Sequence, residues 1–273
     1  MAHAQEVAAG ERFEFGKNWA RFLEGLTEER IARAEASLVR MLGPDAFSGR
    51  TFLDIGSGSG IFSLAARRLG ARVCSVDFDP QSVACALELR RRYFPGDVDW
   101  RIEEGSALDP DYLKSLDSFD VVYSWGVLHH TGSMWKALEN AAIPVAPRGV
   151  LFVAIYNDNG PASRRWTSVK RLYNRLPQPL KPVLSAGTLV FGWWRRLLKD
   201  LITLRPFRSL REYKMDRGMS PWRDIVDWVG GYPFEFAKPE EILDFYRERG
   251  FTLERLKTSG GSYGCNEFVF RRN

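Results

Sequence analysis

Residues 52–60 contain three closely spaced glycines, and an acidic residue ends the apolar run that follows them. The first segment reads F-L-D-I-G-S-G-S-G, and the second, V-C-S-V-D, ends at Asp77. Glycines at 56, 58 and 60 allow a tight turn and let a ligand approach main-chain atoms. An acid about 20 residues after such a turn typically binds a pair of ribose hydroxyls. The spacing therefore indicates a nucleotide cofactor.

Two details of this turn favour a cationic methyl donor over a dinucleotide. A dinucleotide site normally reads G-x-G-x-x-G and places a pyrophosphate at the helix N-terminus, but here the third glycine comes one residue earlier. Asp54 also lies directly before the turn. A carboxylate there repels a pyrophosphate but attracts the amino group and the sulfonium of S-adenosylmethionine. The sequence thus favours S-adenosylmethionine over NAD.

The residues that position this turn follow an alternating pattern. From Thr51 onward, short apolar runs alternate with amphipathic stretches, which predicts a parallel sheet with helices on both faces. The predicted strands are 51–55, 71–77, 98–102, 119–124, 149–156, 251–258 and 266–271. A glycine-rich loop joins the last two, which predicts an antiparallel hairpin at one sheet edge. Before the sheet, residues 11–42 have a helical pattern that ends at Gly43-Pro44.

The composition is that of an ordinary globular protein. The 273 residues carry 45% hydrophobic and 27% charged side chains and a net charge of +5. The first ten residues lack a basic start and an apolar core, so we expect no signal peptide. No apolar run reaches the roughly 18 residues of a membrane span. Three cysteines without metal-ligand spacing predict no metal site and a reducing, cytoplasmic setting.

The motifs together resemble the class I S-adenosylmethionine-dependent methyltransferases, in the group that includes the ubiquinone and menaquinone biosynthesis enzymes. The glycine turn, Asp77 and the segment F-D-V-V-Y-S-W-G-V-L-H-H carry the resemblance, which covers 50–156 and 238–273. It implies a doubly wound, seven-stranded, mostly parallel, Rossmann-like α/β sheet whose last strand is antiparallel. The expected parts are an N-terminal helical cap (1–45), a donor-binding core (46–156 and 237–273) and a helical insertion (157–236) that serves as a substrate lid.

The resemblance also implies the residues that contact the donor. Asp77 should accept both ribose hydroxyls, although an N-cap before Pro80 is an alternative. Ser106 stands where the family often has an acid on the adenine amino group, which leaves that contact open, and Asp109 is expected to cap a helix. The full predicted set is Asp54, Gly56, Ser57, Gly58, Gly60, Asp77, Phe78, Ser106, Ala107 and Trp125, with Trp19 as either a lid residue or a core residue.

A general base is required only when the acceptor must lose a proton, because the sulfonium is already a strong electrophile. The candidates are His129, His130, Tyr156, Asp158 and Glu235. Histidine suits proton transfer because its unperturbed pKa is about 6.5. In the resembling family, however, the His-His position commonly packs beside the donor, and each of the other candidates has an alternative as a capping or surface group. Tyr263 is a further candidate, for orienting the substrate.

The segment 157–236 is basic and rich in tryptophan, with 15 Arg and Lys against 7 Asp and Glu. Within it, 183–199 is an apolar run followed by basic residues, which suits a core helix or an interfacial segment. A lid, a contact with the membrane surface and an anionic partner all remain open. Nucleic acid is the less favoured partner, because no appended RNA-binding motif is present and Y-S-W-G lacks the proline of amino-methylating DNA enzymes.

We therefore predict an S-adenosylmethionine-dependent methyltransferase that acts on a small or amphiphilic molecule, in the cytoplasm or peripherally at the membrane. Two alternatives stay open: a nucleic-acid or protein methyltransferase that uses the insertion, and a non-catalytic donor-binding subunit. The acceptor atom stays open among oxygen, nitrogen and carbon.

Overall fold

The computed structural model describes residues 2–203, 221–261 and 263–273. Residues 204–220 of the insertion, Ser262 of the closing loop, and the side chains of 2, 193, 195–197, 221, 223 and 224 lie outside this part. The chain divides into two compact units, one of Met1–Phe13 and Arg164–Pro233, the other of Glu14–Ser163 and Phe234–Asn273. The predicted division differs, since the first 13 residues of the expected cap join the insertion.

The larger unit contains a seven-stranded sheet in the order β3-β2-β1-β4-β5-β7-β6. The strands are β1 (Thr51–Ile55), β2 (Arg72–Asp77), β3 (Trp100–Glu104), β4 (Phe119–Trp125), β5 (Val145–Tyr156), β6 (Phe251–Lys257) and β7 (Cys265–Arg272). The first five pair in parallel, whereas β7 runs antiparallel to both β5 and β6. The predicted fold and the edge hairpin are confirmed. Strand order reverses beside β1, where ligands of such sheets bind.

Eleven α-helices lie within the described residues. They are α1 (Ala2–Ala8), α2 (Gly16–Glu24), α3 (Glu28–Leu42), α4 (Ile61–Arg68), α5 (Pro80–Tyr93), α6 (Pro110–Ser115), α7 (Met134–Ala141), α8 (Pro161–Arg175), α9 (Lys181–Ile202), α10 (Pro221–Gly230) and α11 (Pro239–Arg247). The helical pattern predicted over 11–42 is interrupted after Glu24. The reason is a new helix start, because the Thr27 hydroxyl accepts the Arg30 N–H and Glu28 follows in the first turn.

Alternating side chains of the sheet form a hydrophobic core on each face. In β1, Leu53 and Ile55 pack on one side with helices α6, α7 and α11, whereas Phe52 packs on the other with α3, α4 and α5. This period of two follows from strand geometry. It also places Asp54, between Leu53 and Ile55, on the face that α4 covers. The polar residue is therefore buried directly beneath the glycine turn.

The smaller unit is helical over its described residues. Helices α8 and α10 meet through Trp166 and Trp228, whose ring centroids lie 5.5 Å apart. The buried ammonium of Lys170 lies 4.1 Å from the centroid of the Trp228 ring and donates to the Trp228 carbonyl. Burial lowers the pKa of Lys170 to about 7. Among the helices that can be described, none combines the length and apolar character that crossing a bilayer requires.

Candidate functional site

The glycine turn adopts a backbone conformation that strongly favours glycine. Gly56, Gly58 and Gly60 have φ angles of 78°, 54° and 79°. Space is restricted as well, because a Cβ at Gly56 would lie 2.3 Å from the Val127 side chain. The Gly56 N–H donates to the Val76 carbonyl at 2.7 Å, which ties the turn to β2. The turn is therefore fixed at the carboxyl ends of β1 and β2.

Asp77 ends β2, and its carboxylate faces this turn. Its Oδ2 accepts the Gly58 N–H at 2.8 Å, and its Oδ1 accepts the Asp79 N–H at 2.9 Å. Burial raises the pKa of Asp77 to about 6, although these backbone hydrogen bonds partly oppose the rise. The N-cap of α5 is Asp79, which accepts the Gln81 N–H at 2.9 Å. The helix-cap alternative for Asp77 is therefore wrong.

Asp54 is the second acid beside the turn, and it is only 2% exposed. Ser63 Oγ donates to its Oδ2 at 2.6 Å. Burial raises the pKa of Asp54 to about 7; the Ser63 hydrogen bond lowers it in part, and the charge of Asp77 raises it. Two neighbouring acids with raised pKa values favour a cationic ligand, because a positive charge would stabilise both ionised forms.

The turn also retains hydrogen-bonding capacity. The Ser57 Oγ is buried and has no hydrogen-bond partner within the described residues. Buried hydroxyls normally have a partner, so this one suits a contact with a ligand. A buried hydroxyl, two acids and a glycine backbone are the groups that the amino, ribose and methionine parts of S-adenosylmethionine require. The residues present therefore fit this donor.

The start of α2 lies against the same turn. The Gly16 N–H donates to Asp79 Oδ2 at 2.8 Å, so one carboxylate holds the starts of both α2 and α5. A Cβ at Gly58 would lie 3.1 Å from the indole Nε1 of Trp19. Trp19 is half-buried and also packs on the core. The core interpretation of Trp19 is therefore confirmed, and its ring lies against the glycine turn.

The other residues predicted to contact the donor lie on the loops after β2 and β3 and at the end of β4. Ser106 Oγ accepts the Leu108 N–H at 3.1 Å, and Asp109 caps α6 as predicted by accepting the N–H groups of Asp111 and Tyr112. Ala107 is buried, Phe78 half-buried, and Trp125 is exposed at the end of β4. The buried Asn140 Nδ2 donates to the Ala107 carbonyl at 2.9 Å. Asn140 was missed, because one amide within a helical pattern carries no signal.

Five rings meet beyond the carboxyl ends of β4 and β5. His129 lies 4.1 Å from Tyr156 between ring centroids and 4.5 Å from His130. Phe15 lies 5.2 Å from His130, and Phe234 lies 5.0 Å from Tyr156. We call these five residues the ring cluster. Phe15 and Phe234 were missed as members, because they come from segments distant in sequence.

The candidate bases differ in the hydrogen bonds that they accept from backbone N–H groups. His129 is fully buried, and its Nδ1 accepts the Tyr156 N–H at 3.4 Å. Both Glu235 oxygens accept the N–H of Met134, the first residue of α7, at 3.0 and 3.1 Å. Asp158 Oδ1 accepts the Gly160 N–H at 2.7 Å. Glu235 and Asp158 therefore have the capping contacts of their alternative interpretation, while the rings of His130 and Tyr156 belong to the cluster.

Comparison with known proteins agrees with this geometry. Residues 26–214 match a family model described as a methyltransferase domain. The chain belongs to this methyltransferase family. Membership confirms the resemblance to class I S-adenosylmethionine-dependent methyltransferases, and S-adenosylmethionine is the cofactor that the resemblance predicts.

Two relatives of this chain are named as O-methyltransferases. A ubiquinone biosynthesis O-methyltransferase of Paramagnetospirillum magneticum is 34% identical over 211 residues, which are 77% of this chain and 62% of that protein. One of Methylobacterium is 32% identical over 121 residues, 42% of this chain and 45% of that protein. The chain thus spans less than two thirds of the length of these relatives.

A solved structure shares the fold. Magnesium protoporphyrin IX methyltransferase from Synechocystis PCC 6803, crystallised with bound SAH, superposes with a TM-score of 0.51 at 16% identity. The match covers 90% of this chain and 83% of that one. At this identity the likeness concerns the architecture alone.

Proposed function

We propose that this methyltransferase transfers the methyl group of S-adenosylmethionine to a small or amphiphilic acceptor that carries an aromatic ring. The proposal depends on one observation: the predicted donor site and the ring cluster both lie at the carboxyl ends of the parallel strands. The glycine turn with Asp54 and Asp77 follows β1 and β2, and the ring cluster follows β4 and β5. A donor site beside an aromatic surface suits direct transfer to a planar acceptor.

The chain's own residues would bind and orient the donor. Asp77 would accept the ribose hydroxyls, Asp54 would attract the amino group, and the Ser57 hydroxyl and the turn backbone would contact the methionine part. When bound, S-adenosylmethionine supplies an electrophilic methyl group. Trp19, which covers Gly58, would keep water from this side of the site. Relatives named for ubiquinone biosynthesis O-methylation support oxygen as the acceptor atom.

A hydroxyl acceptor must lose a proton, and we propose His130 for that role. His130 is 9% exposed, whereas His129 is fully buried. Its ring lies against Phe15 and Tyr156, the surface proposed to hold the acceptor. A histidine beside the acceptor hydroxyl can take the proton at neutral pH.

A methyl-transfer assay tests the function. The protein is incubated with tritium-labelled S-adenosylmethionine and cell extract, which is then separated into lipid, small-molecule, RNA and protein fractions. Label in the lipid or small-molecule fraction is expected. Label in RNA or protein would support the macromolecular alternative instead. Donor binding in calorimetry without any labelled product would support the non-catalytic subunit, and tighter binding of NADH would overturn the donor.

The insertion carries a second, separable proposal: helix α9 contacts the surface of an anionic membrane. Seven apolar side chains of this helix are between 46% and 76% exposed: Val183, Val190, Phe191, Trp194, Leu198, Leu201 and Ile202. Their spacings of mostly three, four and seven residues place them on one face. An exposed apolar face with a tryptophan, within a segment of net positive charge, suits the headgroup boundary of anionic lipids.

Vesicle flotation tests this contact. The protein should float with phosphatidylglycerol-containing vesicles and much less with pure phosphatidylcholine vesicles. The variant Phe191→Gln/Leu201→Gln should lose flotation, whereas Val98→Gln, which alters a 92% exposed valine elsewhere, should retain it. Equal flotation of all three proteins, or none by the wild type, would contradict the proposal.

A further inference from the structure

A chain of buried hydrogen bonds runs beneath the glycine turn and ends on Asp54. The indole Nε1–H of Trp100 donates to Ser75 Oγ at 2.8 Å, and Ser75 Oγ donates to Ser63 Oγ at 2.6 Å. Ser63 Oγ then donates to Asp54 Oδ2 at 2.6 Å. These four residues are at most 2% exposed. We call Trp100, Ser75 and Ser63 the relay.

The sheet register and one helix bring the relay together. Asp54 in β1 is the register partner of Ser75 in β2. Partners in neighbouring strands project to the same face, so both side chains lie on the face that α4 covers. Ser63 comes from α4 and Trp100 from β3. Four elements that share no local sequence signal therefore meet at one carboxylate.

The chemistry of these groups gives the relay one direction. An indole N–H can only donate, so Ser75 must accept from Trp100 and use its own proton toward Ser63. Ser63 in turn donates to Asp54. An ionised carboxylate accepts hydrogen bonds and offers no proton, so it is the proper end of such a chain. The relay therefore engages Asp54 Oδ2 from the protein interior and stabilises the ionised carboxylate.

We propose that Ser63, Ser75 and Trp100 are positioning residues that hold the Asp54 carboxylate for the amino group of the methyl donor. The inference rests on the proposed function, since it takes S-adenosylmethionine as the ligand. A carboxylate has about four lone-pair sites, so one that is held by Ser63 from the interior keeps others for a charged hydrogen bond to the ligand. The relay acts through Asp54, so its loss should affect only the part of the ligand that Asp54 recognises.

Two ligands separate this role from a merely structural one. S-adenosylhomocysteine has the amino-acid arm, whereas 5′-methylthioadenosine keeps the adenosine and the thioether but has a methyl group in place of that arm. Ser63→Ala should weaken binding of S-adenosylhomocysteine roughly tenfold, the effect of losing a hydrogen bond to a charged group. Binding of 5′-methylthioadenosine should stay within about twofold of the wild type, within the scatter of such contributions. Ser75→Ala should show the same selectivity with a smaller effect.

Three controls make the outcome decisive. Ser82→Ala removes another buried hydroxyl, from α5, and should change neither affinity. Ser63→Thr keeps the hydroxyl, so its affinity for S-adenosylhomocysteine should be close to that of the wild type. In an Asp54→Asn background, Ser63→Ala should cause no further loss, because the relay then has no carboxylate to hold.

The results that overturn the relay differ from those that overturn the function. Equal weakening of both ligands by Ser63→Ala, or an unchanged affinity for S-adenosylhomocysteine, refutes the positioning role while donor binding stands. Failure of the wild type to bind either ligand refutes the proposed function itself.

Discussion

Asp77 is oriented by the backbone, since one of its oxygens accepts the Gly58 N–H and the other accepts the Asp79 N–H. Such preorganisation lowers the cost of binding a ribose. We expect Asp77→Ala to weaken S-adenosylmethionine binding at least tenfold, which corresponds to about 1.5–3 kcal/mol for hydrogen bonds to a charged group. Isothermal calorimetry measures the change.

The matched control for Asp77 is Asp109, an acid on the loop that follows β3. Its carboxylate caps α6, so Asp109→Ala should reduce stability without changing donor affinity. Unchanged affinity in Asp77→Ala would refute the ribose role.

Among the candidate bases, Glu235 has the contacts of a helix cap. Both oxygens accept the N–H of Met134 at the start of α7. We expect Glu235→Ala to reduce the free energy of unfolding by about 1 kcal/mol, as loss of a helix cap does, and to leave kcat within twofold. Urea denaturation and steady-state kinetics measure the two effects. A fall in kcat of about 10²-fold, typical of a lost general base, would instead make Glu235 catalytic.

At the scale of single residues, the sequence predicted acids and glycines better than their partners. Asp54, Asp77 and the glycine turn are close in sequence and have fixed spacing, so their association could be read directly. Ser63, Ser75 and Trp100 occupy core positions in their helix and strands, and their polar atoms meet only through the register of the sheet. Their association depends on tertiary structure that no local pattern encodes.

Helix α2 begins at Gly16, which packs closely against Asp79 and Gln81. A Cβ at Gly16 would lie 2.5 Å from Asp79 Oδ2 and 2.5 Å from the Gln81 Cβ. Gly16→Ala should therefore push α2 away from α5, at a cost of about 1–3 kcal/mol typical of overpacking. Because α2 carries Trp19 over the turn, donor affinity should fall together with stability. Thermal melting and calorimetry test both effects.

Gly25→Ala provides the matched control at the other end of α2. Its nearest neighbour to a new Cβ is an Arg30 nitrogen at 3.5 Å, an ordinary contact, so stability and donor affinity should change little. If Gly16→Ala changes stability and donor affinity as little as Gly25→Ala does, then the close packing of Gly16 does not determine where α2 lies.

The boundaries of strands and helices could be predicted only where they depend on neighbouring residues in the sequence. Hydrophobic periodicity predicted all seven strands, although β3 begins at Trp100 and β5 begins at Val145. The break between α2 and α3 was missed, although Thr27 followed by two glutamates is a helix-start signal. The grouping of Met1–Phe13 with Arg164–Pro233 joins segments distant in the chain, which periodicity cannot relate.

Global stability should depend on pH through the two acids of the donor site. Burial raises the pKa of Asp54 from 3.8 to about 7 and that of Asp77 to about 6. The folded ligand-free protein therefore binds protons that the unfolded chain releases between about pH 4 and pH 7. The stabilisation that these groups contribute is complete below pH 4 and is lost as the pH rises toward 7. For Asp54 alone the loss is on the order of 4 kcal/mol.

Asp54→Asn isolates this contribution, because asparagine keeps an acceptor for Ser63 but does not ionise. Other carboxylates act in the opposite direction, since Arg67 lowers the pKa of Asp97, so the informative quantity is the difference between variant and wild type. Urea denaturation at pH 5 and pH 8 should show that the Asp54→Asn variant gains stability relative to the wild type as the pH rises. Saturating S-adenosylmethionine should reduce that gain, because its positive charge lowers the pKa of Asp54 in the complex. Parallel stability curves for the two proteins would show that the fold does not raise the pKa of Asp54, which would contradict this prediction.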